Sequence, residues 1–195
     1  RRMPGLFNYL NRTIPMLVRK YRNNDIILNT AITRYNYKYL LELAGLAREW
    51  GVGISYSAYS ILRTGDRKHF ISSDEHQNAL LKMLHSLIKF KAKNGVIINP
   101  DHTLINTYWF FKRGYIPHCR AGVRFLVVRP DGTLNACSMY PSEIYNTQKE
   151  MRKNFSIRKG CGECYVSIRA YSDRTLVGLV KSGLNSLKSV NRSSS

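Results

Sequence analysis

The side chains of this chain best suited to chemistry are four cysteines, Cys119, Cys137, Cys161 and Cys164, all within its last 77 residues. Two of them close a Cys-Gly-Glu-Cys turn at 161–164, and the other two precede it, with successive gaps of 18 and 24 positions. A Cys-x-x-Cys turn sets two sulfurs close enough to share one site, and four thiolates can fill every vertex of a zinc or iron–sulfur centre. Spacing alone leaves iron and zinc about even. Four unrelated cysteines is the plain alternative, disfavoured because the preceding 118 residues contain none. Other chemistry is weakly signalled. His69, His76, His85 and His102 lack the spacing of a metal site or a triad, and His118 beside Cys119 reads as a solvent-facing residue. There is no Gly-x-Ser-x-Gly elbow, Walker loop or paired-carboxylate signature.

Lys and Arg number 31 against 12 Asp and Glu, a net charge of +19. Such an excess fits a polyanionic partner, an acidic substrate or an acidic companion segment. The basic residues are spread out, and the local concentrations, Arg19-Lys20-Tyr21-Arg22 and Lys89 to Lys93, read first as solvated helix faces. At 195 residues with 44% hydrophobic and 22% charged side chains, the chain suits one folded domain plus a small second one. No run approaches the roughly 18 apolar residues of a membrane span, so no membrane partner is expected. The start, Arg-Arg-Met-Pro-Gly-Leu-Phe, has no signal-peptide apolar core, and it lacks an initial Met, as a processed product or fragment would. Cysteines at metal spacing without an export signal point to a reducing, cytoplasmic setting.

The elements that must position the cysteines alternate in type. Leu6, Leu10, Ile14, Leu17 and Tyr21 mark a helical face that Pro15 should kink or restart. Residues 25–33 read as a buried strand, and Leu40, Leu43, Ala44 and Ala47 as a helix stopped at Gly51. Residues 52–57 form a second strand, followed by the polar loop 63–68. Ser72-x-x-Glu75 reads as a capping box opening a helix with Leu80, Met83, Leu84, Leu87 and Ile88 on its apolar face, closed by Asn94-Gly95. A third short strand spans 96–99 and a helix spans 104–111. Strand–helix alternation predicts an α/β fold with a parallel sheet. After Gly114, residues 123–128 and 133–136 around Pro130-Asp131-Gly132 read as a β-hairpin, 141–160 as a polar loop, and 174–188 as a last helix.

Several of these segments resemble the C-terminal half of a radical S-adenosylmethionine (SAM) enzyme with a Twitch-type auxiliary cluster domain, a shorter relative of SPASM. Arg2-Met3-Pro4-Gly5-Leu6-Phe7 is similar to the segment after that family's third barrel strand. Leu28 to Asn36 is similar to the fourth strand and its exit. Cys119, Pro130-Asp131-Gly132, Cys137 and Cys161-Gly-Glu-Cys164 are similar to the auxiliary domain. The resemblance implies three parts: residues 1–114 as the C-terminal half of a partial (β/α)6 barrel, 115–188 as a small α+β Twitch-like domain, and 189–195 as a disordered tail.

The same resemblance implies one [4Fe–4S] cluster on Cys119, Cys137, Cys161 and Cys164, with full thiolate coordination suited to electron transfer or support. It implies SAM contacts among Asn29, Thr30, Ser55 and Ser57, with Asn36 ordering the loop after its strand. Tyr56 and Tyr59 are expected as core aromatics ahead of cavity lining. Arg63, Arg67 and Lys68 could hold the carboxylate or phosphate of an anionic substrate. A reductant such as flavodoxin or ferredoxin is the implied protein partner. One departure is decisive for activity: the family's Cys-x3-Cys-x2-Cys loop, which holds the catalytic cluster, is absent. The chain is therefore expected to be inactive alone, needing the N-terminal barrel half for hydrogen abstraction by a 5′-deoxyadenosyl radical. A different class, a basic zinc-stabilised nucleic-acid-binding module, is suggested by the +19 charge together with 13 tyrosines.

Overall fold

The fold is seen in a computed structural model, which describes residues 3–21, 26–156 and 161–172. These divide into two units. One comprises the chain up to Ile116 together with Gly162–Ser167; the other comprises Pro117–Cys161 and the described residues from Ile168 on. The fold class is mixed α/β, as expected.

In the first unit β1 (Ile27–Ile32) and β2 (Gly53–Ala58) pair in parallel, in register from Ile27 opposite Gly53 to Ile32 opposite Ala58. Parallel neighbours need a crossover. Here it is α2 (Leu40–Trp50), whose Leu40, Ala44 and Ala47 are fully buried and which Gly51 ends in the left-handed conformation, φ 71°. β1 departs from the buried strand expected over 25–33. Ile27, Asn29 and Ala31 are exposed, and among the described residues β1 is paired along one edge.

The strand expected over 96–99 is a single parallel bridge, Ile97 with Ile54 on the far side of β2. Beyond it the ladder is continued by a side chain. The Asn99 amide oxygen accepts the Tyr56 N–H at 2.7 Å, and its nitrogen donates to the Tyr56 carbonyl at 2.9 Å.

After the short α3 (Ile61–Thr64), α4 (Asp74–Asn94) buries Leu80, Leu84 and Leu87, a stripe of helical period. Its N-cap is Ser73, whose hydroxyl accepts from His76 N at 3.3 Å, one residue later than the box read at Ser72. Two adjacent serines made the choice ambiguous in sequence. α5 (Asp101–Arg113) extends the expected 104–111 by a turn at the start and two residues at the end. α1 (Leu6–Lys20) runs unbroken through Pro15, so no new helix restarts there. Proline there removes one main-chain donor, and anchors before it hold the helix: Ile14 is buried, and Asn11 accepts the Trp50 indole N–H at 2.9 Å.

In the second unit β3 (Val127–Val128) and β4 (Leu134–Asn135) make the expected hairpin. Asp131 fixes its turn by accepting from the Thr133 N–H at 3.0 Å and hydroxyl at 2.6 Å. The loop expected over 141–160 instead holds β5 (Ile144–Tyr145), antiparallel to β4, then α6 (Gln148–Met151) and a π-helical turn, Arg152–Ser156. The segment reads as polar because, among its described residues, the large apolar side chains that turn inward are few: Tyr145, Met151 and Phe155. They join Ala121 and Ala136 as this unit's small core. α7 (Ser167–Ser172) precedes the expected helix at 174–188, which, like the tail 189–195, lies outside the described residues.

Candidate functional site

Hydrophobic packing and main-chain bonds place three cysteines within the second unit. Cys119 and Cys137 both pack against the core of Ala121, Ala136, Tyr145, Met151 and Phe155. Cys119 N donates to the Cys161 carbonyl at 3.3 Å, which runs the two segments side by side. Cys137 lies at the end of the hairpin. Burial pushes its thiol up, the Cys161 charge adds to the rise, and the N–H groups of Met139 and Tyr140 oppose it. Tyr140 connects these parts: its N–H donates to the Cys137 carbonyl at 3.4 Å, its hydroxyl is 4.0 Å from Cys161 Sγ, and its ring meets Phe155 at 5.7 Å.

Cys164 belongs to the first unit and is buried. Its neighbour Tyr165 accepts from Ala58 N at 3.2 Å, which ties the segment to the end of β2. Gly162 lies against Ile116: its carbonyl accepts the Ile116 N–H at 2.8 Å, and a Cβ on it would stand 3.0 Å from the Ile116 oxygen. That close approach is why the Cys-x-x-Cys turn carries glycine after its first cysteine.

None of the four cysteines is in a disulfide. Among the described residues no three or more His, Cys, Asp or Glu side chains stand close enough to hold a metal ion. The four sulfurs expected in one centre are thus represented by the Cys137–Cys161 neighbourhood, with Cys119 joined through its backbone. By donor chemistry four thiols fit either an iron–sulfur cluster or zinc.

The residues expected against SAM separate by the strand period. Asn29, Ser55 and Ser57 share one face of the β1–β2 sheet. Thr30, paired with Tyr56, is on the opposite face. Asn29 Oδ1 accepts from Ser55 Oγ at 3.1 Å and from Ser167 Oγ at 3.2 Å. Ser55 and Ser57 are buried. Ser167 was not anticipated, and no spacing ties position 167 to position 29. Asn36 orders the turn after β1 as expected: it donates to the Ala31 carbonyl at 2.9 Å and accepts from the Thr33 N–H at 2.8 Å and hydroxyl at 3.1 Å.

Tyr56 is a core residue. It is buried, its hydroxyl donates to the Leu40 carbonyl at 2.7 Å, and burial pushes its pKa up. Tyr59 is half-buried, and its hydroxyl bonds Thr64 and the Asp66 carbonyl. Arg63, Arg67 and Lys68 are exposed, and so is His118, which holds a left-handed φ of 64°. Arg169 was missed altogether: it is fully buried and donates to the Pro117 carbonyl at 3.0 Å, two residues before Cys119. A lone arginine in Ser-Ile-Arg-Ala-Tyr-Ser carries no signal of burial.

No helix among the described residues is long and apolar enough to cross a membrane. No model of a known protein family matches the chain, and no curated protein or solved structure is significantly similar to it.

Proposed function

We propose that this chain is the C-terminal portion of a radical SAM enzyme and carries one auxiliary [4Fe–4S] cluster. The observation that carries the reading is the open parallel sheet. The order β1, β2, Ile97 is that of successive strand–helix units, and the outer edge of β1 has no ladder partner among the described residues. Ile27 on β1 is half exposed, and Met3, Phe7, Tyr9 and Met16 at the start of the chain are each more than half exposed. An edge strand without charge, proline or bulge is an unusual thing to leave bare. In this reading the missing N-terminal barrel half pairs with it.

Within that frame Asn29, Ser55 and Ser57 present amide and hydroxyl groups on one sheet face, suited to a ribose or a methionyl group, and Ser167 orients Asn29. The residues that would hold the cluster are Cys119, Cys137, Cys161 and Cys164. A fully thiolate-bound cluster would supply electron transfer or structural support. The protein's own contribution is a small apolar core behind Cys119 and Cys137 and the Tyr140 hydroxyl beside Cys161. A reductant such as ferredoxin or flavodoxin and an anionic substrate complete the proposal.

The test is anaerobic reconstitution of the chain with iron and sulfide. About four irons per chain and a broad absorbance near 400 nm, on the order expected for thiolate-bound iron, support the reading. Loss of colour in Cys137→Ala and Cys161→Ala ties the cluster to these residues. A colourless protein that retains one zinc ion overturns it.

A further inference from the structure

A second candidate site uses none of the cysteines and stands whether or not the iron–sulfur reading holds. Parallel strands ending together bring the loops that follow them to one place, and α/β folds put ligands at those carboxyl ends. β1 ends at Ile32 and β2 at Ala58, opposite each other. The loops beyond are bonded to one another and to the strands. Arg34 N donates to the His69 carbonyl at 2.9 Å, and Tyr59 N to the Ile32 carbonyl at 3.1 Å. Asp66 is fixed by accepting from Lys68 N at 2.7 Å and by its carbonyl bond from the Tyr59 hydroxyl at 2.9 Å.

This stitching holds an aromatic cluster. The His69 ring has Tyr35 edge-on at 5.3 Å and Tyr59 tilted at 5.3 Å, and the Asp66 carboxylate is 3.9 Å from Nε2. Tyr35 is 56% exposed, so one side of its ring is open to a ligand, and the Arg34 guanidinium lies 5.4 Å from its centre. Residues 33–36 and 59–69 contain four cations, Arg34, Arg63, Arg67 and Lys68, all exposed, against the one carboxylate of Asp66.

We propose that these two loops bind a small molecule that joins a phosphate monoester to a planar ring, the chemistry of a nucleoside monophosphate. The phosphate would sit among the guanidinium and ammonium groups, where charge-assisted bonds are strong, and the ring against Tyr35. Exposed cations alone would bind any anion weakly. The rigid aromatic surface next to them makes the site selective for an anion carrying a ring.

The full chain is titrated at fixed ionic strength with AMP, adenosine and inorganic phosphate, following the His69 ring protons by NMR. AMP should give saturable shifts, with a dissociation constant at least about tenfold below that for either fragment, since a stacked ring contributes on that order. Arg63→Ser/Arg67→Ser/Lys68→Ser should weaken AMP about tenfold or more, and Tyr35→Leu should bring AMP down to the phosphate level, with Tyr35→Phe restoring it. Lys149→Ser/Lys153→Ser, in the other unit, should change nothing beyond twofold. Equal affinity for AMP and phosphate, unmoved His69 resonances, or the same loss in the Lys149/Lys153 variant each overturn the proposal. All substituted side chains other than Tyr35 are exposed and charged, so the triple variant keeps the fold.

Discussion

Burial raises the pKa of the Cys137 thiol, and Cys161 nearby adds to the rise. The two residues are 24 positions apart, and Tyr140 bonds the Cys137 carbonyl while its hydroxyl approaches Cys161 Sγ. A raised thiol pKa means that folding favours the neutral form. The stabilising contribution is therefore complete below the ordinary value of 9.0 and is lost as pH rises through the folded value. Alkylation of Cys137 by iodoacetamide, read by mass spectrometry across pH, should reach half its maximal rate at higher pH in the native chain than in urea. Cys161→Ser should shift the native midpoint part of the way down. A native midpoint at or below the unfolded one would refute the arrangement.

Asn99 completes the hydrogen bonding of Tyr56 from the far side of β2 and is itself fully buried. Asn99→Ala leaves the Tyr56 N–H and carbonyl without this partner in the interior, at about 1–3 kcal/mol for each group. Urea denaturation should show a loss of about 2–6 kcal/mol by that reckoning, or a failure to fold. Asn99→Asp, which keeps the acceptor and loses the donor, should fall between the two. A loss below about 0.5 kcal/mol in Asn99→Ala would show that the amide is not part of the ladder.

Gly162 has no room for a methyl group, because the nearest atom is the Ile116 main-chain oxygen at 3.0 Å. Gly162→Ala forces the two segments apart and should cost about 1–3 kcal/mol, the usual range for overpacking. The control is Gly65→Ala, where nothing lies within 4 Å and the cost comes instead from a left-handed φ of 69°. Limited proteolysis distinguishes them: Gly162→Ala should speed cleavage near residues 115–119 and 161–165, and Gly65→Ala should not. Unchanged cleavage in Gly162→Ala removes the close approach from the account.

The main strand–helix order was legible in the sequence because each element carries its own period. Leu80, Leu84 and Leu87 repeat at helical spacing, and Ile27 to Ile32 and Gly53 to Ala58 are short β-rich runs between helices. β5, α6 and the π-helical turn were not legible, since three inward residues among polar ones resemble a loop until a core exists for them to face. Asn99 looked like the end of a strand, and only the neighbouring Tyr56 backbone makes its side chain part of the sheet.

The candidate sites divide the same way. Local sequence determined the hairpin around Asp131 and the Asn36-stabilised exit from β1, because each depends on contacts a few residues apart. Tertiary structure alone decided that Ser167 bonds Asn29 across 138 positions, that Cys137 senses Cys161, and that His69 lies between Tyr35 and Tyr59. The physical reason is range. Caps, turns and periodicity are encoded by neighbours along the chain, whereas a side chain's face, burial and electrostatic surroundings are set by segments that only folding brings to it.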